Sequence, residues 1–347
     1  MPEDSVPSLL KSDLDEVLDL TSDLWGDLRG ARILVTGGTG FIGTWLLASL
    51  VHANQRHHFD LEAVVLTRNP ESFRLKVPHL GDSPAIHLVQ GDVRQPPLLA
   101  GPFTHLIHAA TDASVQLLAA NPQLMFDTIV SGTRAILEVA TEKAIGRSLF
   151  LSSGAVYGRQ PHDLERIPED WNGLLDCADP RSAYAEGKRA AENLCGIHAH
   201  QHGLPISIAR CFAFVGPYLP IDTHFAIGNF IGDALARKTI RVKGDGTPYR
   251  SYLYATDLTA WLWHLLVRGE SGVPFNVGSE EAVSIGELAA QVGQELGTSF
   301  EILGQAAPGQ RPERYVPSTE RIRQRLGLSQ TVSLQEGIRR TARWHAG

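Results

Sequence analysis

Two short stretches of this 347-residue chain hold residues whose types and spacing could do chemistry. In the first, Ile33-Leu34-Val35-Thr36 runs straight into Gly37-Gly38-Thr39-Gly40-Phe41-Ile42-Gly43. An apolar strand, a GxxGxxG turn and a helix opening with Phe41 and Ile42 make a cradle for a dinucleotide. The glycines let the backbone bend tightly and approach a pyrophosphate, whose charge sits at the positive end of the helix. In the second stretch, Tyr184 and Lys188 fall one helical turn apart. The lysine ammonium can lower the proton affinity of the phenol. That lowering matters, because an unperturbed tyrosine pKa of about 10 is too high for a base at neutral pH. A lone YxxxK also fits an exposed packing pair. Here it follows the glycine turn, with Ser152 and Ser153 between the two, and that order favours chemistry.

These groups need a scaffold. Strands are predicted at Ile33–Thr36, Ala63–Thr67, Ile86–Gln90, His105–Ala109, Ser148–Ser152 and Ile206–Cys211, and helices at Phe41–Ala53, Gln123–Lys143 and Ser182–His202. Near-continuous Val/Ile/Leu strands separated by helices imply a parallel sheet covered on both faces. The expectation is an α/β chain whose residues 30–212 form a doubly wound Rossmann domain, with its site at the carboxyl ends of the strands. Residues 1–29 are an acidic extension with Leu10, Leu14, Val17, Leu18, Leu24, Trp25 and Leu28 at helical spacing. They read as an amphipathic helix on the core rather than a partner-binding arm. After residue 212 the rhythm changes. Gly216-Pro217 breaks the chain, a helix is expected at Ile227–Ala236, a strand at Thr239–Val242, and a helix from Ser284 to about Leu296. Residues 213–347 are expected to form mainly a smaller α/β substrate-binding lobe, some segments returning to the first domain. That lobe would close over the sheet edge and make a ligand cleft.

Composition narrows the classes. Hydrophobic residues at 43% and charged residues at 20% suit a globular enzyme. A net charge of −7 argues against a nucleic-acid partner or a polybasic membrane contact. Three cysteines, Cys177, Cys195 and Cys211, share no CxxC spacing, so a reducing cytoplasm is expected. No apolar run reaches the roughly 18 residues of a membrane span, and the acidic start does not read as a signal peptide. His198, His200 and His202 follow Lys188 without acidic or cysteine companions and read as surface histidines, so no metal is expected.

With these residues in order, the chain from about residue 30 to 345 resembles the extended short-chain dehydrogenase/reductase family of nucleotide-sugar epimerases, dehydratases and decarboxylases. The resemblance rests on Thr36 to Gly43, Gly91-Asp92-Val93, His108-Ala109-Ala110, Gly132-Thr133, Ser152-Ser153-Gly154-Ala155-Val156-Tyr157-Gly158, the Tyr184/Lys188 pair, Gly216-Pro217 and the turn at Arg250. It implies that Tyr184 is the general acid/base on a sugar hydroxyl while hydride passes to or from a nicotinamide. Lys188 would hold the nicotinamide ribose and keep the phenol near its anionic form, and Ser153 would hydrogen-bond the same sugar oxygen. Asp92, beside Val93, would accept from the adenine amino group. Ala109 and Ala110 would run close to the cofactor phosphates and ribose. Arg250, with Arg311 or Arg314, would grip the substrate diphosphate with guanidinium forks. Asn229 and Phe230 match positions that hold the nucleotide, though Phe230 reads equally well as a core residue.

Three departures from the family pattern carry information. Dehydratases and glucuronate decarboxylases of this family place a glutamate two residues before Tyr157, and 3,5-epimerases a cysteine. This chain has Gly154 and Ala155, which transfer no proton. NAD users end the second strand with an aspartate on the ribose hydroxyls. Here Arg68 follows Thr67, with Arg74 six residues on, which favours a 2′-phosphate and hence NADP over NAD. An asparagine expected before Gly216-Pro217 is Ala213, so the substrate contact there must differ.

The sequence thus reads as an NAD(P)-dependent nucleoside-diphosphate-sugar epimerase acting at C4 through a transient 4-keto sugar. An NADPH-dependent 4-ketoreductase is the first alternative, and a dehydratase or decarboxylase follows; Tyr184 to Arg189 resembles the decarboxylase segment. A cofactor-sensing scaffold is the non-enzymatic alternative, opposed by intact Ser153, Tyr184 and Lys188. A homodimer is expected, because in relatives the YxxxK helix and the one before it pair with their copies. Leu124, Ile129, Ile136, Leu137 and Val139 exceed what one buried stripe needs.

Overall fold

A computed structural model describes residues 7–111, 115–223, 225–309 and 311–347; residues 1–6 of the N-terminal extension lie outside the described residues. Two compact units partition the chain. The first takes residues up to Val156, Leu175–Arg210 and Thr259–Phe275, and the second takes Tyr157–Leu174, Cys211–Leu258 and Asn276–Gly347.

The frame of the first unit is a set of strands written in apolar residues: β1 (Arg32–Thr36), β2 (Glu62–Thr67), β3 (Ile86–Gln90), β4 (His105–His108), β5 (Arg147–Ser153) and β6 (Ile206–Cys211). In the second unit β7 is Phe214–Val215, β8 Ile240–Val242, β9 Tyr249–Arg250 and β10 Leu253–Tyr254. They are followed by β11 (Pro274–Val277), β12 (Val283–Ser284), β13 (Phe300–Ile302) and β14 (Arg314–Tyr315). One seven-stranded sheet runs β11-β6-β5-β4-β1-β2-β3. β1 pairs in parallel with β2 on one side and β4 on the other, Thr36 lying opposite Leu66 and His108. The doubly wound α/β sheet expected from the sequence is therefore present. Successive strands leave β1 in opposite directions, and the crevice at their carboxyl ends opens where that order reverses.

The helices before the second unit are α1 (Ser8–Leu20), α2 (Trp25–Leu28), α3 (Phe41–His57), α4 (Pro70–Lys76), α5 (Pro78–Gly81), α6 (Val115–Ala120), α7 (Pro122–Glu142) and α8 (Ala183–His202). α3 is buried almost all round from Gly43 to Ala53, as befits a helix with cover on both sides. α1 supplies cover from outside. Its Leu10, Leu14, Val17 and Leu18 are buried, and Asp15 pairs with His52 of α3 at 2.7 Å. Trp25 packs 5.2 Å from Trp263. α7 starts where Asn121 accepts from Leu124 N–H at 3.0 Å, with Pro122 at the first helical position. α8 stops at Gly203, whose φ of 67° suits a left-handed cap.

α7 and α8 lie side by side, and the contact corrects one expectation. His198 is buried, its Nδ1 3.2 Å from Thr141 Oγ1 of α7, so it is no surface histidine. Burial and neighbouring His202 hold its pKa below the usual value. Only His200 and His202 remain exposed. A helix face laid against another helix takes whatever residue stands there, and a histidine with a hydroxyl partner is accommodated.

The second unit is organised by short strands: β10 with β7, β8 with β13, and a three-stranded ribbon β12-β9-β14. Around them stand α9 (Ala226–Leu235), α11 (Ile285–Leu296), α12 (Glu320–Leu326) and α13 (Leu334–Ala346), while α10 (Ala255–Arg268) runs from this unit into the first. Ser284 and Glu287 form a reciprocal capping box at the start of α11. No helix among the described residues is long and apolar enough to cross a membrane.

Candidate active site

At the carboxyl end of β1 the three motif glycines answer to different needs. Gly37 has φ 72°, and a Cβ on it would lie 2.5 Å from the backbone of Ala109. A Cβ on Gly43 would lie 2.4 Å from Gly37 O and Gly38 Cα, so this glycine lets the helix seat on its own turn. Gly40 is required by neither. Its φ is an ordinary −84°, and its Cβ would meet only Gly37 O at 3.5 Å. Gly40 is also the N-cap of α3, and no side chain caps that helix start. An exposed, uncapped helix N-terminus kept bare of a Cβ is what a pyrophosphate needs, so the residues present fit a dinucleotide. Phe41 and Ile42, half-buried in the first turn, flank the position.

Thr36 joins this turn to the end of β4. Its carbonyl accepts from Ala109 N–H at 3.0 Å, and its hydroxyl oxygen accepts from Ala110 N–H at 3.2 Å. The same hydroxyl sits 2.6 Å from His108 Nδ1, and His108 Nε2 lies 3.0 Å from Thr133 Oγ1 on α7. Each ring nitrogen of His108 thus faces a hydroxyl that can donate or accept, and the Thr36 hydroxyl also accepts from Ala110. Burial, and then the positive Lys188, push the His108 pKa down to about 3. The ring is a neutral strut with both nitrogens engaged. It fixes the Ala109-Ala110 backbone against the glycine turn.

The Tyr184/Lys188 pair stands on α8, which packs along β5. Lys188 is almost fully buried. Its Nζ donates to Leu151 O at 2.7 Å and sits 5.0 Å from the centre of the Phe150 ring. Tyr184 is half-buried against the apolar cluster that includes Ile129 and Phe150. Ser153, the last residue of β5, accepts from Ala155 N–H at 3.1 Å. The structure thus gathers Ser153, Tyr184 and Lys188 on one strand–helix pair. It adds a network that sequence reasoning missed. Ser152 Oγ donates to Glu192 Oε1 at 2.5 Å, and Arg210 of β6 grips both oxygens of Glu192, Nε at 3.0 Å and Nη2 at 2.7 Å. The available signal was spacing: Glu192 stands one turn beyond Lys188 on the same face.

Toward the other edge of the sheet, Asp92 carries more than the expected adenine contact. Arg94 reaches Asp92 Oδ1 through Nε at 3.0 Å and Oδ2 through Nη2 at 2.7 Å, and its N–H adds a bond to Oδ1 at 2.9 Å. Chiefly through those bonds the Asp92 carboxyl is held down at about 2. An adenine amino group would share an acceptor already taken on both oxygens. Val93 fills the space over Gly132, where a Cβ would come within 2.8 Å of it. Arg68 is exposed just past β2, while Arg74 pairs with Glu71 within α4.

In the second unit, Arg250 is half-buried on β9, its Nη1 donating to Tyr249 O at 2.8 Å. β14 runs beside β9 with Tyr315 opposite Arg250, and the Arg314 guanidinium lies 4.3 Å from the Tyr249 ring centre. Of the two arginines expected as the second diphosphate ligand, Arg314 stands on the strand next to Arg250, and Arg311 is an exposed loop residue. On α9, Asn229 is half-buried and Phe230 buried. Tyr157 is nearly inaccessible, its hydroxyl donating to Asn276 Oδ1 at 2.7 Å. Glu169 accepts from Asn276 N–H at 2.9 Å and fixes that asparagine.

Comparison with known proteins agrees with this fold. Residues 33–278 match the sequence profile of the NAD dependent epimerase/dehydratase family. UDP-glucuronic acid decarboxylase 3 of Arabidopsis thaliana is 32% identical over 308 residues, covering 88% of this chain and 86% of its own. UDP-glucuronic acid decarboxylase 1 of Xenopus tropicalis is 31% identical over 312 residues, covering 89% and 71%. Among solved structures, a dTDP-glucose 4,6-dehydratase from Streptomyces venezuelae with NAD bound superposes with a TM-score of 0.76 at 26% identity, covering 90% of this chain and 96% of its own.

Proposed function

Because this chain belongs to the NAD dependent epimerase/dehydratase family, we propose that it is a nucleoside-diphosphate-sugar 4-epimerase. The glycine turn and Lys188 would hold a dinucleotide, which would supply a reversible hydride acceptor for C4 of the sugar. Tyr184 removes the C4 hydroxyl proton as the carbonyl forms and returns it when the carbonyl is reduced from the other face. Lys188 favours the phenolate through its charge, and Ser153 offers a hydroxyl to the same sugar oxygen. Arg250 and Arg314, on adjacent strands, suit the substrate diphosphate.

The observation that carries this reading is that, among the described residues, the turn after Ser153 offers no second proton carrier. The turn of residues 154–157 begins with Gly154 and Ala155, which hold no proton. The two titratable groups best suited to replace a missing glutamate are both committed. His108 is neutral with each ring nitrogen bonded, and Tyr157 donates to Asn276. Elimination of water across C5 and C6 needs such a carrier; reversible oxidation at C4 needs only Tyr184.

Decarboxylation is the second reading, favoured by relatives named UDP-glucuronic acid decarboxylases. Loss of carbon dioxide from a 4-keto acid needs an electron sink more than a base. NADP is preferred here over NAD on the strength of exposed Arg68 after β2. A homodimer is part of the same reading, resting on half-buried Leu124 and Val139 of α7, since Ile129, Ile136 and Leu137 are taken up by the chain's own core.

The test is NMR of purified protein given UDP-glucose, UDP-glucuronate or dTDP-glucose, with a C4 deuterium label and either dinucleotide. Interconversion of C4 stereochemistry with the label retained supports the epimerase. Release of carbon dioxide selects the decarboxylase, a 4-keto-6-deoxy product would return the chain to the dehydratases, and net consumption of reduced cofactor marks a ketoreductase. Light scattering at micromolar concentration tests the dimer.

A further inference from the structure

Glu192 and Arg210 form an enclosed bidentate ion pair, with side chains only 12% and 14% exposed. Such a pair is costly to bury and is weak evidence for stability in itself. Its place suggests why it stands there. Ser152, which donates to Glu192, lies between Leu151, whose carbonyl holds Lys188, and Ser153. Along α8, Glu192 follows Lys188 by one turn and Tyr184 by two. One strand end and one helix face therefore carry both the proton-transfer pair and this ion pair.

We propose that Glu192 and Arg210 are positioning residues for Tyr184 and Lys188: through Ser152 they lock α8 to the end of β5, and by cancelling each other's charge they leave Lys188 to govern the ionisation of the phenol. The proposal rests on Tyr184 as the proton carrier. An anchor at that point of β5 has to accept from the Ser152 hydroxyl, and a carboxylate does so more strongly than a neutral group. An unbalanced carboxylate one turn from Lys188 would oppose the phenolate that Lys188 favours. Arg210 removes that opposition. The field of both helix residues reaches the same buried ground: burial chiefly pushes the Cys195 thiol up, Glu192 adds to the rise and Lys188 opposes it.

Other charged groups around α8 are balanced or distant in role. On the helix, Glu186 faces Arg189 at 3.8 Å, and on the turn before it Asp179 pairs with Arg181. On α7, Asp127 acts on Arg94, while Arg134 and Glu138 act on His198. On β4, His108 is neutral. The ion pair is thus the place where a single substitution changes the net charge two turns from Tyr184.

Eight residues of helix put Glu192 about 12 Å from Tyr184, and the Arg210 guanidinium adjoins the Glu192 carboxylate. At that distance, with an effective dielectric of about 20, one uncompensated charge shifts a titration by about one pH unit. The experiment titrates Tyr184 by its phenolate absorbance, each protein read against the same protein carrying Tyr184→Phe, with and without NAD. Glu192→Gln leaves Arg210 unbalanced and should lower the Tyr184 midpoint by about half a unit to one unit. The double variant Glu192→Gln/Arg210→Met restores neutrality and should return the midpoint to within about 0.3 unit of the starting protein. The acid limb of the pH–rate profile should move in step. An unmoved midpoint in Glu192→Gln, or an equal shift in the double variant, overturns the proposal and leaves the pair a structural tie. A Tyr184→Phe protein that keeps its turnover sinks the functional reading instead, whatever the titration shows.

Discussion

Replacing Gly40 and Gly37 by alanine, one at a time, separates what the glycine turn does for the fold from what it does for the cofactor. At Gly37 alanine must adopt φ 72°, which costs roughly 1–2 kcal/mol for a residue with a Cβ. Its methyl would also lie 2.5 Å from the Ala109 backbone, so β1 and β4 must part. Gly37→Ala should therefore melt well below the parent even without cofactor. At Gly40 the φ is ordinary and the nearest atom is 3.5 Å from the new methyl. An N-cap change from glycine to alanine costs about 1 kcal/mol or less. The methyl instead occupies the ground over the helix start where the pyrophosphate would lie. A dinucleotide at 100 times its Kd stabilises a protein by about 2.7 kcal/mol, and that increment should vanish in Gly40→Ala while the cofactor-free melt stays near the parent's. Thermal unfolding with and without NAD and NADP reads both quantities, and calorimetric titration gives the affinities. Undiminished cofactor stabilisation of Gly40→Ala would refute the pyrophosphate placement.

Three further expectations are independent of that one. Tyr184→Phe should lower turnover by about two orders of magnitude or more while leaving dinucleotide affinity near the parent value, and Ser153→Ala, which removes one neutral hydrogen bond, should cost less; steady-state kinetics decides, and a harsher Ser153→Ala would show the proton carrier to be misassigned. Arg68→Asp should move preference from NADP toward NAD, read by titrating both, and a parent that already prefers NAD would mean that Arg68 serves adenine alone. His108 has a folded pKa of about 3 against 6.5 unfolded, so the unfolded chain binds more protons between those values and stability should fall as pH drops below about 6.5. Urea midpoints at pH 7.5 and 5 should show a smaller drop for His108→Gln than for the parent.

The sheet was legible because its strands are buried on both faces and so run as unbroken apolar text: Ile33–Thr36 and Ala63–Thr67 were expected, and β1 and β2 contain them with one residue added at the start of each. α8 was legible to within a residue, since Tyr184 and Lys188 had to share a face. The two-residue strands β9, β12 and β14 were not, because two residues have no periodicity and their pairing is set by the partner strand. Contacts across long separations were equally hidden. No local pattern ties Thr36 to His108, or Ser152 and Arg210 to Glu192. His198 was misjudged for a related reason: a helix sequence tells which residues share a face, but a polar residue on it is buried or exposed according to the helix that lies against it.

β1 is an interior strand, paired on both edges, and its two neighbours arrive at very different times. β2 and β3 follow it within the same stretch of chain, whereas Thr36 and its β4 partner His108 are 72 residues apart. While the chain is being synthesised, β1, α3, β2 and β3 can close their ladder early, and the other edge of β1 then waits with its backbone donors and acceptors unpaired. An open apolar edge of that kind is a template for the wrong strand, including one from a second nascent chain. Parallel pairing over so long a loop is slow because the entropy of closure is spent before any contact returns it. Yield of native protein should accordingly depend on translation speed and growth temperature more than on final stability, with misassembly arising in the interval between the emergence of Gln90 and that of His108.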